Sequence, residues 1–498
     1  MSPAVAVVAV VALLTLCGLG ALAVLGVARS PRELLRRSGL APLTGMAWAG
    51  VVAATLATAG SRLSIAGLGL LTAATCAGGA ARLTRTRAPS APPERPQGRA
   101  AGSLQQTAAI PSDPPAQRKS GARNSLLQRL VDVGVVIASL GVIAVVVAVA
   151  MAALHVKPLV EYDGWAMWGM KARAIAALGS ADPDVFATPE AYERLHIEYP
   201  LLLPSLHALP LQAADGFTSN TVILSCLAIG LAGLLALWGL FRDRVRPVIL
   251  LPSLAAIVAA PRFFLELGTG YADVPVAVFV ACGVGAAARW LVDRDTSWLT
   301  LATLFLSACV LTKNEGLLFA AALYVSLFVV AHGRRRAVAI AALVCGVVSA
   351  PWRAYIAIHD LGTRTQDYDL WSSFDLPSAL GRLDRARFAV DVLLDEARDP
   401  QQFGLIITLG IAATAFAFLF APRSLALLAT GFGVLSLAGL TWIYLISPKE
   451  VESFLESNAD RVIISFVLGL AALTPLLVEE GVRGLARRVG EPIVGTSR

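Results

Sequence analysis

Residues 130–154 read LVDVGVVIASLGVIAVVVAVAMAAL, a run whose one charged side chain is Asp132. A helix rises about 1.5 Å per residue, so about 20 apolar residues cross a hydrocarbon core of about 30 Å. This run is long enough to cross and too apolar on every side for the surface of a soluble domain. Working outward, comparable runs recur from 4–28 to 462–478, about 13 in all. The 498-residue chain is 56% hydrophobic and 15% charged, where soluble domains carry about 25% charge. A soluble core cannot absorb that excess. The expectation is an all-α integral membrane protein, a polytopic bundle of about 13 transmembrane helices whose outer-face loops carry short amphipathic helices.

The net charge of +7 would suggest nucleic acid on one soluble face, but its distribution reports topology instead, and no nucleic-acid partner is expected. Alternating the spans places most of the 41 Lys and Arg on one side, including Arg32, Arg36, Arg37, Arg242, Arg244, Arg246, Arg334, Arg335, Arg336, Arg487 and Arg488. Most of the 34 acids fall on the other. Positive charge prefers the cytoplasm. The expected arrangement is a multi-pass protein of the inner (plasma) membrane with its N-terminus outside and its C-terminus cytoplasmic.

Residues 1–81 read as an N-terminal three-helix membrane bundle, the first span being retained because no Lys or Arg precedes it. Residues 82–125, rich in Pro, Ala, Arg, Gln and Ser, read as a disordered cytoplasmic linker. A membrane unit over 126–480 and a cytoplasmic tail over 481–498 complete the division. Two long outer loops, 155–220 and 353–402, contain the amphipathic stretches 165–178 and 377–394, which suit the membrane interface. All six cysteines fall within spans, so packing is their expected role.

The outer side also collects the chemistry. Just after the fourth span comes Glu161, Tyr162, Asp163, Gly164, Trp165, Ala166, Met167, Trp168, Gly169, Met170, Lys171, then Glu198, Tyr199, Pro200 and Pro204. An acid flanked by tryptophans and a lysine at the membrane boundary supplies what transfer from an amphiphilic phosphate donor needs. The acid is a base for a hydroxyl, the rings are a surface for sugar or prenyl chain, and the lysine is a cation for phosphate. Asp163 equally suits a helix cap, and Trp165 and Trp168 suit an aromatic belt.

Tyr271, Ala272, Asp273, Val274, Pro275 open the seventh span, where an acid entering apolar surroundings marks function by default. Capping competes there too, because Pro275 falls in a first turn. Thr312, Lys313, Asn314, Glu315, Gly316 form a tight outer hairpin in which Lys313 can take a phosphate and Glu315 can hold it, or both can be ordinary turn residues. Asn458 and Arg461 precede the last span, where Arg461 can reach a phosphate or snorkel to the interface.

Together these motifs resemble the GT-C membrane glycosyltransferases, the superfamily of the protein mannosyltransferases, the aminoarabinose transferase of lipid A and the envelope arabinosyl- and mannosyltransferases. The resemblance covers about 125–480 and rests on the first-loop Asp, Tyr-Pro with a second proline, Ala-Asp-x-Pro, Thr-Lys-x-Glu-Gly and Asn-x-x-Arg. It implies inverting transfer from a polyprenyl-phosphate-linked sugar donor to an envelope glycan, lipid or protein acceptor. Asp163 matches the first-loop acid, Asp273 is a candidate second acid, and Lys313 and Arg461 match phosphate contacts. Many members carry paired acids in the first loop. Here Gly164 follows Asp163, so a divalent metal is neither required nor excluded, and no other cofactor is expected.

No Walker glycine loop, HExxH helix, GxSxG elbow or zinc-spaced Cys/His set is present. The histidines are scattered, and His196 and His207, near the first-loop motif, read as structural. A transporter or flippase is the alternative of another class, but carriers favour repeated halves and midplane charges. An envelope-polymer ligase and a catalytically inactive lipid-binding subunit are the remaining alternatives.

Overall fold

The computed structural model describes residues 1–85, 118–186, 196–359, 361, 381–447 and 449–490, with the side chains of 118–127 and 154–156 excepted. The expected linker therefore lies outside the described residues over 86–117, as does the tail over 491–498. Both linker ends are helical where they are described. The third span runs on to Arg85, and the fourth helix already starts at Arg118.

The described residues are helical, with no strand among them. The principal helices are α1 (Pro3–Val24), α2 (Ala41–Thr58), α3 (Ile65–Arg85), α4 (Arg118–Val156), α5 (Met170–Leu178), α6 (Leu202–Ala214), α7 (Ser219–Phe241), α8 (Pro247–Ala259) and α9 (Pro261–Leu267). They continue with α10 (Asp273–Asp293), α11 (Thr296–Thr312), α12 (Glu315–Val330), α13 (Arg335–Ile358), α14 (Leu383–Arg398), α15 (Ile406–Phe420), α16 (Arg423–Ile446) and α17 (Val451–Val489). Among the described residues nine helices are long and apolar enough to cross a membrane, and the pair α8–α9, bent by 59°, brings the number to ten if it is one span. Three shorter apolar helices, α11, α12 and α15, fall below that length.

Helix α10 is the axis of the bundle: 94% of its apolar span is buried, against 11% for α4, which lies at the periphery. Around α10 pack α7, α11 and α17. At one end, expected to be cytoplasmic, the tips of α7, α10 and α17 are tied by ion pairs. Arg289 meets Asp243 and Asp293 at 2.6 Å, Arg244 meets Glu480 at 2.9 Å, and Arg483 reaches Glu479 and Glu480 at 3.1 and 2.9 Å. Charges grouped by the alternation of spans thus meet in space.

The first three spans pack into the body. Leu63 and Ala181 take part in backbone bonds that join the α2–α3 turn to the 178–181 segment, Leu63 N–H donating to Gly179 O at 2.6 Å and Ala181 N–H to Ala57 O at 3.0 Å. Arg29 pairs with Asp295 at 2.7 Å, and Arg37 covers the Trp298 ring at 4.9 Å. In lipid there is little hydrophobic drive between helices, so close backbone contact through small residues carries the association. Gly18 and Gly45 provide it between α1 and α2: a Cβ on Gly45 would lie 1.7 Å from the Leu14 carbonyl oxygen. Gly45→Ala must push these backbones apart. It is expected to cost about 1–3 kcal/mol or more of stability, read as a lower temperature of thermal aggregation in detergent.

Both amphipathic stretches pack on protein where they are described. Ala166, Met167, Trp168, Ala172 and Ile175 are buried, with α5 packed on α6. Helix α14 buries Ala389, Leu393 and Ala397 against α16 and α17, while 377–380 lie outside the described residues. Their apolar faces have found protein partners.

Candidate functional site

At the end of the bundle opposite the ion-pair cluster, a cavity of about 220 Å³ opens between the first-loop segment and the tops of α10, α11, α16 and α17. Asp163, Trp168, Tyr199, Asp273, Lys313, Glu315, Asn458 and Arg461 all line it. They come from five separated stretches of chain.

Asp163 begins a π-helical turn, Asp163–Gly169. Wide turns of this kind are rare and concentrate at functional positions. The turn is pressed onto the 268–272 loop at Gly164, where a Cβ would stand 2.0 Å from the Thr269 carbonyl oxygen. Only glycine permits that approach, which sets Asp163 beside the residues that follow. Its Oδ2 receives Arg461 Nη1 at 2.9 Å, a bond to another helix where a cap would take its own helix's amide. Arg461 Nη2 donates to Asn458 Oδ1 and to Ser457 O, and the guanidinium lies over the Tyr271 ring at 4.6 Å. Burial, and then the negative charge of Asp163, push the Tyr271 phenol up to about 12.

Asp273 opens α10, and its carboxylate likewise takes a cation in place of capping. Lys313 Nζ donates to Asp273 Oδ1 at 2.9 Å and pairs with Glu315 Oε1 at 3.0 Å. Burial alone lowers an ammonium's pKa, but Asp273 and then Glu315 outweigh it and hold Lys313 above the usual lysine value. Asp273 is 5% exposed, and Lys313 and Glu315 are nearly as enclosed, so the hairpin is no ordinary exposed turn.

The remaining expected residues divide. Trp168 and Tyr199 form an aromatic wall, with ring centroids 5.5 Å apart. Trp165 does not join it: the indole is 45% exposed and rests edge-on against Tyr162 outside the cavity. Lys171 is withdrawn from the cavity altogether. It is 1% exposed, and Nζ donates to the carbonyls of His196, Ile197 and Tyr199 at 2.7, 3.4 and 3.3 Å. It holds the 196–199 wall in place and contacts no cavity space. Glu198 lies behind the wall, where Trp352 Nε1 donates to its carbonyl at 2.9 Å and its side chain meets His196 Nδ1 at 3.0 Å. Burial lifts Glu198, but His196 and Lys171 together bring it below the usual carboxylate value.

Burial lowers Lys171 to about 7 from 10.5, against the pull of Glu198. A lysine whose folded pKa lies below its unfolded one binds fewer protons when folded, so its contribution to stability rises with pH between those values. The stability of wild type relative to Lys171→Met is therefore expected to increase from pH 7 toward pH 10, measured by thermal melts of both proteins across that range.

Sequence reasoning took His196 as structural, yet it lines the cavity, in the left-handed region at φ 43°. A bulky residue there is strained, and such strain gathers at functional positions. Two other cavity residues, Tyr444 and Lys449, carried no motif, and Lys449 lies over the Phe454 ring at 5.0 Å. Behind Arg461, Arg262 joins Glu266 at 2.7 Å and Asp460 at 2.6 Å. Arg262 and Glu266, four apart in an otherwise apolar segment, were the available signal. Among the described residues no three His, Cys, Asp or Glu side chains converge in a way that could hold a metal ion.

Chemically, the cavity offers Lys313 and Arg461, each already partnered by carboxylate, with Lys449 at its wall, beside an aromatic wall and the apolar side chains of Leu440, Ile443 and Val462. Such a site can hold an anionic head group with an apolar tail and place a carboxylate beside it. No known protein family, curated protein or solved structure matches the chain.

Proposed function

We propose that this protein is a membrane glycosyltransferase of GT-C type, which transfers a hexosyl or pentosyl unit with inversion from a polyprenyl-phosphate donor to an envelope glycan, lipid or protein acceptor. The reaction takes place at the outer face of the inner membrane. The observation that carries this reading is the convergence of Asp163, Asp273, Lys313 and Arg461, from four separate segments, on one cavity. In this reading α8–α9 and the shorter α11, α12 and α15 also cross, giving 13 spans with the N-terminus outside and the C-terminus cytoplasmic.

Arg461 and Lys313 receive the donor phosphate by charge-assisted hydrogen bonds. Trp168 and Tyr199 offer ring faces to the sugar, and Leu440, Ile443 and Val462 lead toward the prenyl chain. Asp163 takes the acceptor proton as the anomeric carbon is attacked, and the two cations offset charge growing on the leaving phosphate. Asp273, buried against Lys313, orients the ammonium. The test is transfer of radiolabelled sugar from polyprenyl-phosphate donors by purified protein in lipid, with Asp163→Asn as control. Failure across a panel of hexosyl and pentosyl donors, with envelope extract as acceptor, overturns the reading.

A further inference from the structure

We propose that the two acid–cation pairs of the cavity form a lock that a phosphate group opens. Arg461 is held by Asp163, and Lys313 by Asp273 and Glu315, until the phosphate of a lipid-linked donor displaces Asp163 from Arg461 and one of the two carboxylates from Lys313, so that donor binding itself releases Asp163 for the acceptor. The proposal rests on the glycosyl-transfer reading above and adds to it an order of events: donor first, acceptor second.

The argument starts from a double use of one side chain. Asp163 Oδ2 lies 2.9 Å from Arg461 Nη1, so the oxygen meant to take a proton faces a guanidinium. Arg461 Nη2 is already committed to its own helix, through Ser457 O and Asn458 Oδ1. The Nη1 edge is therefore where a phosphate competes, and Asp163 holds it. Stacking on Tyr271 keeps the guanidinium in position when its partner changes. The exchange is anion for anion. At Arg461 the cation is compensated before and after, and the displaced Asp163, 29% exposed, can draw on water, which is what makes the exchange feasible. Lys313 has two carboxylates, so a phosphate can replace one while the other stays.

In the step that follows, the acceptor hydroxyl passes its proton to Asp163 and its oxygen bonds to the anomeric carbon. The bond from that carbon to the phosphate oxygen breaks, and its electron pair leaves with the phosphate. Arg461 and Lys313 face the added charge.

The lock makes a prediction opposite to that of a positioning role. If Asp163 competes with phosphate, removing its charge must tighten phosphate binding; if it merely aims Arg461, removing it must weaken binding. The measurement is calorimetric titration of farnesyl phosphate into the full-length protein in lipid nanodiscs, with farnesol as the tail-only probe and inorganic phosphate as the head-only probe. Asp163→Asn is expected to tighten farnesyl phosphate about tenfold, the order set by one charge-assisted hydrogen bond no longer contested. The same substitution in an Arg461→Gln background is expected to gain nothing.

Asp273→Asn provides a second arm. Its expected gain is smaller, about threefold, because Glu315 remains on Lys313. Unchanged or weaker binding by both variants overturns the lock. A gain that persists without Arg461 also overturns it, since plain repulsion then suffices. Inorganic phosphate binding as tightly as farnesyl phosphate overturns the lipid-donor form of the proposal. Binding that follows the expected pattern without any sugar transfer upholds the lock and sinks the glycosyl-transfer reading, so the two failures are distinguishable.

Discussion

Asp163→Asn is expected to lower sugar transfer by about 10² to 10⁴-fold, the range that positioned general-base catalysis contributes. The substitution keeps size and hydrogen-bonding capacity while removing the basic oxygen, so the loss should appear in kcat. KM for the lipid donor should not rise, because the uncharged side chain no longer competes for Arg461, 2.9 Å away. A purely structural Asp163 would behave differently: its loss would loosen Arg461 and raise KM while leaving the chemical step intact. Steady-state rates at saturating donor separate the two. If kcat stays near normal in a well-folded variant, the base lies elsewhere. Asp273 and Glu198, the latter paired with the cavity residue His196, then become the residues to test.

The helical membrane class could be read from the sequence because it depends on composition over long windows. The 130–154 run needs no partner to declare itself, and among the nine candidate spans of the described residues it is the least covered by protein. Span ends were less legible. The apolar signal stops where polar residues begin, but backbone hydrogen bonding does not, so α4 begins at Arg118 within the expected linker.

The first three spans read as a bundle of their own because a polar linker follows them. Their packing on the rest of the chain includes a backbone approach at Gly39, where a Cβ would stand 2.9 Å from the Leu235 carbonyl oxygen, and hydropathy does not weigh such contacts. In the site, eight of the twelve residues drawn from short motifs line the cavity, and Trp165, Lys171, Glu198 and Tyr271 do not. Lys171 belonged to the richest of those motifs, yet it is spent on three backbone carbonyls, and nothing local in sequence distinguishes a lysine for phosphate from one for carbonyls. Arg262 and Glu266 were passed over because they lie in an apolar segment and their partner Asp460 is distant in the chain.

Lys313→Ala is expected to have the larger effect on stability of the two cation deletions, and the geometry says why. Lys313 is the shared partner of Asp273 and Glu315, both well buried, so its removal leaves two neighbouring carboxylates with no cation between them. Removing one member of a buried charge pair costs about 3–5 kcal/mol, mostly from the charge left behind. Adding Asp273→Asn to Lys313→Ala should therefore recover part of that loss, although it removes yet another native polar group. Arg461→Ala leaves Asp163, which is 29% exposed and can draw on water, so its stability cost should be closer to 1 kcal/mol. Its cost should fall on the ligand instead: losing a charge-assisted phosphate contact of about 1.5–3 kcal/mol weakens farnesyl phosphate by about 10- to 100-fold. Thermal melts of the three variants, with titrations on those that stay folded, check both halves. Equal stability loss for Lys313→Ala and Arg461→Ala, with no recovery in the double variant, would mean that the Asp273–Lys313–Glu315 cluster is not the desolvated triad that its distances describe.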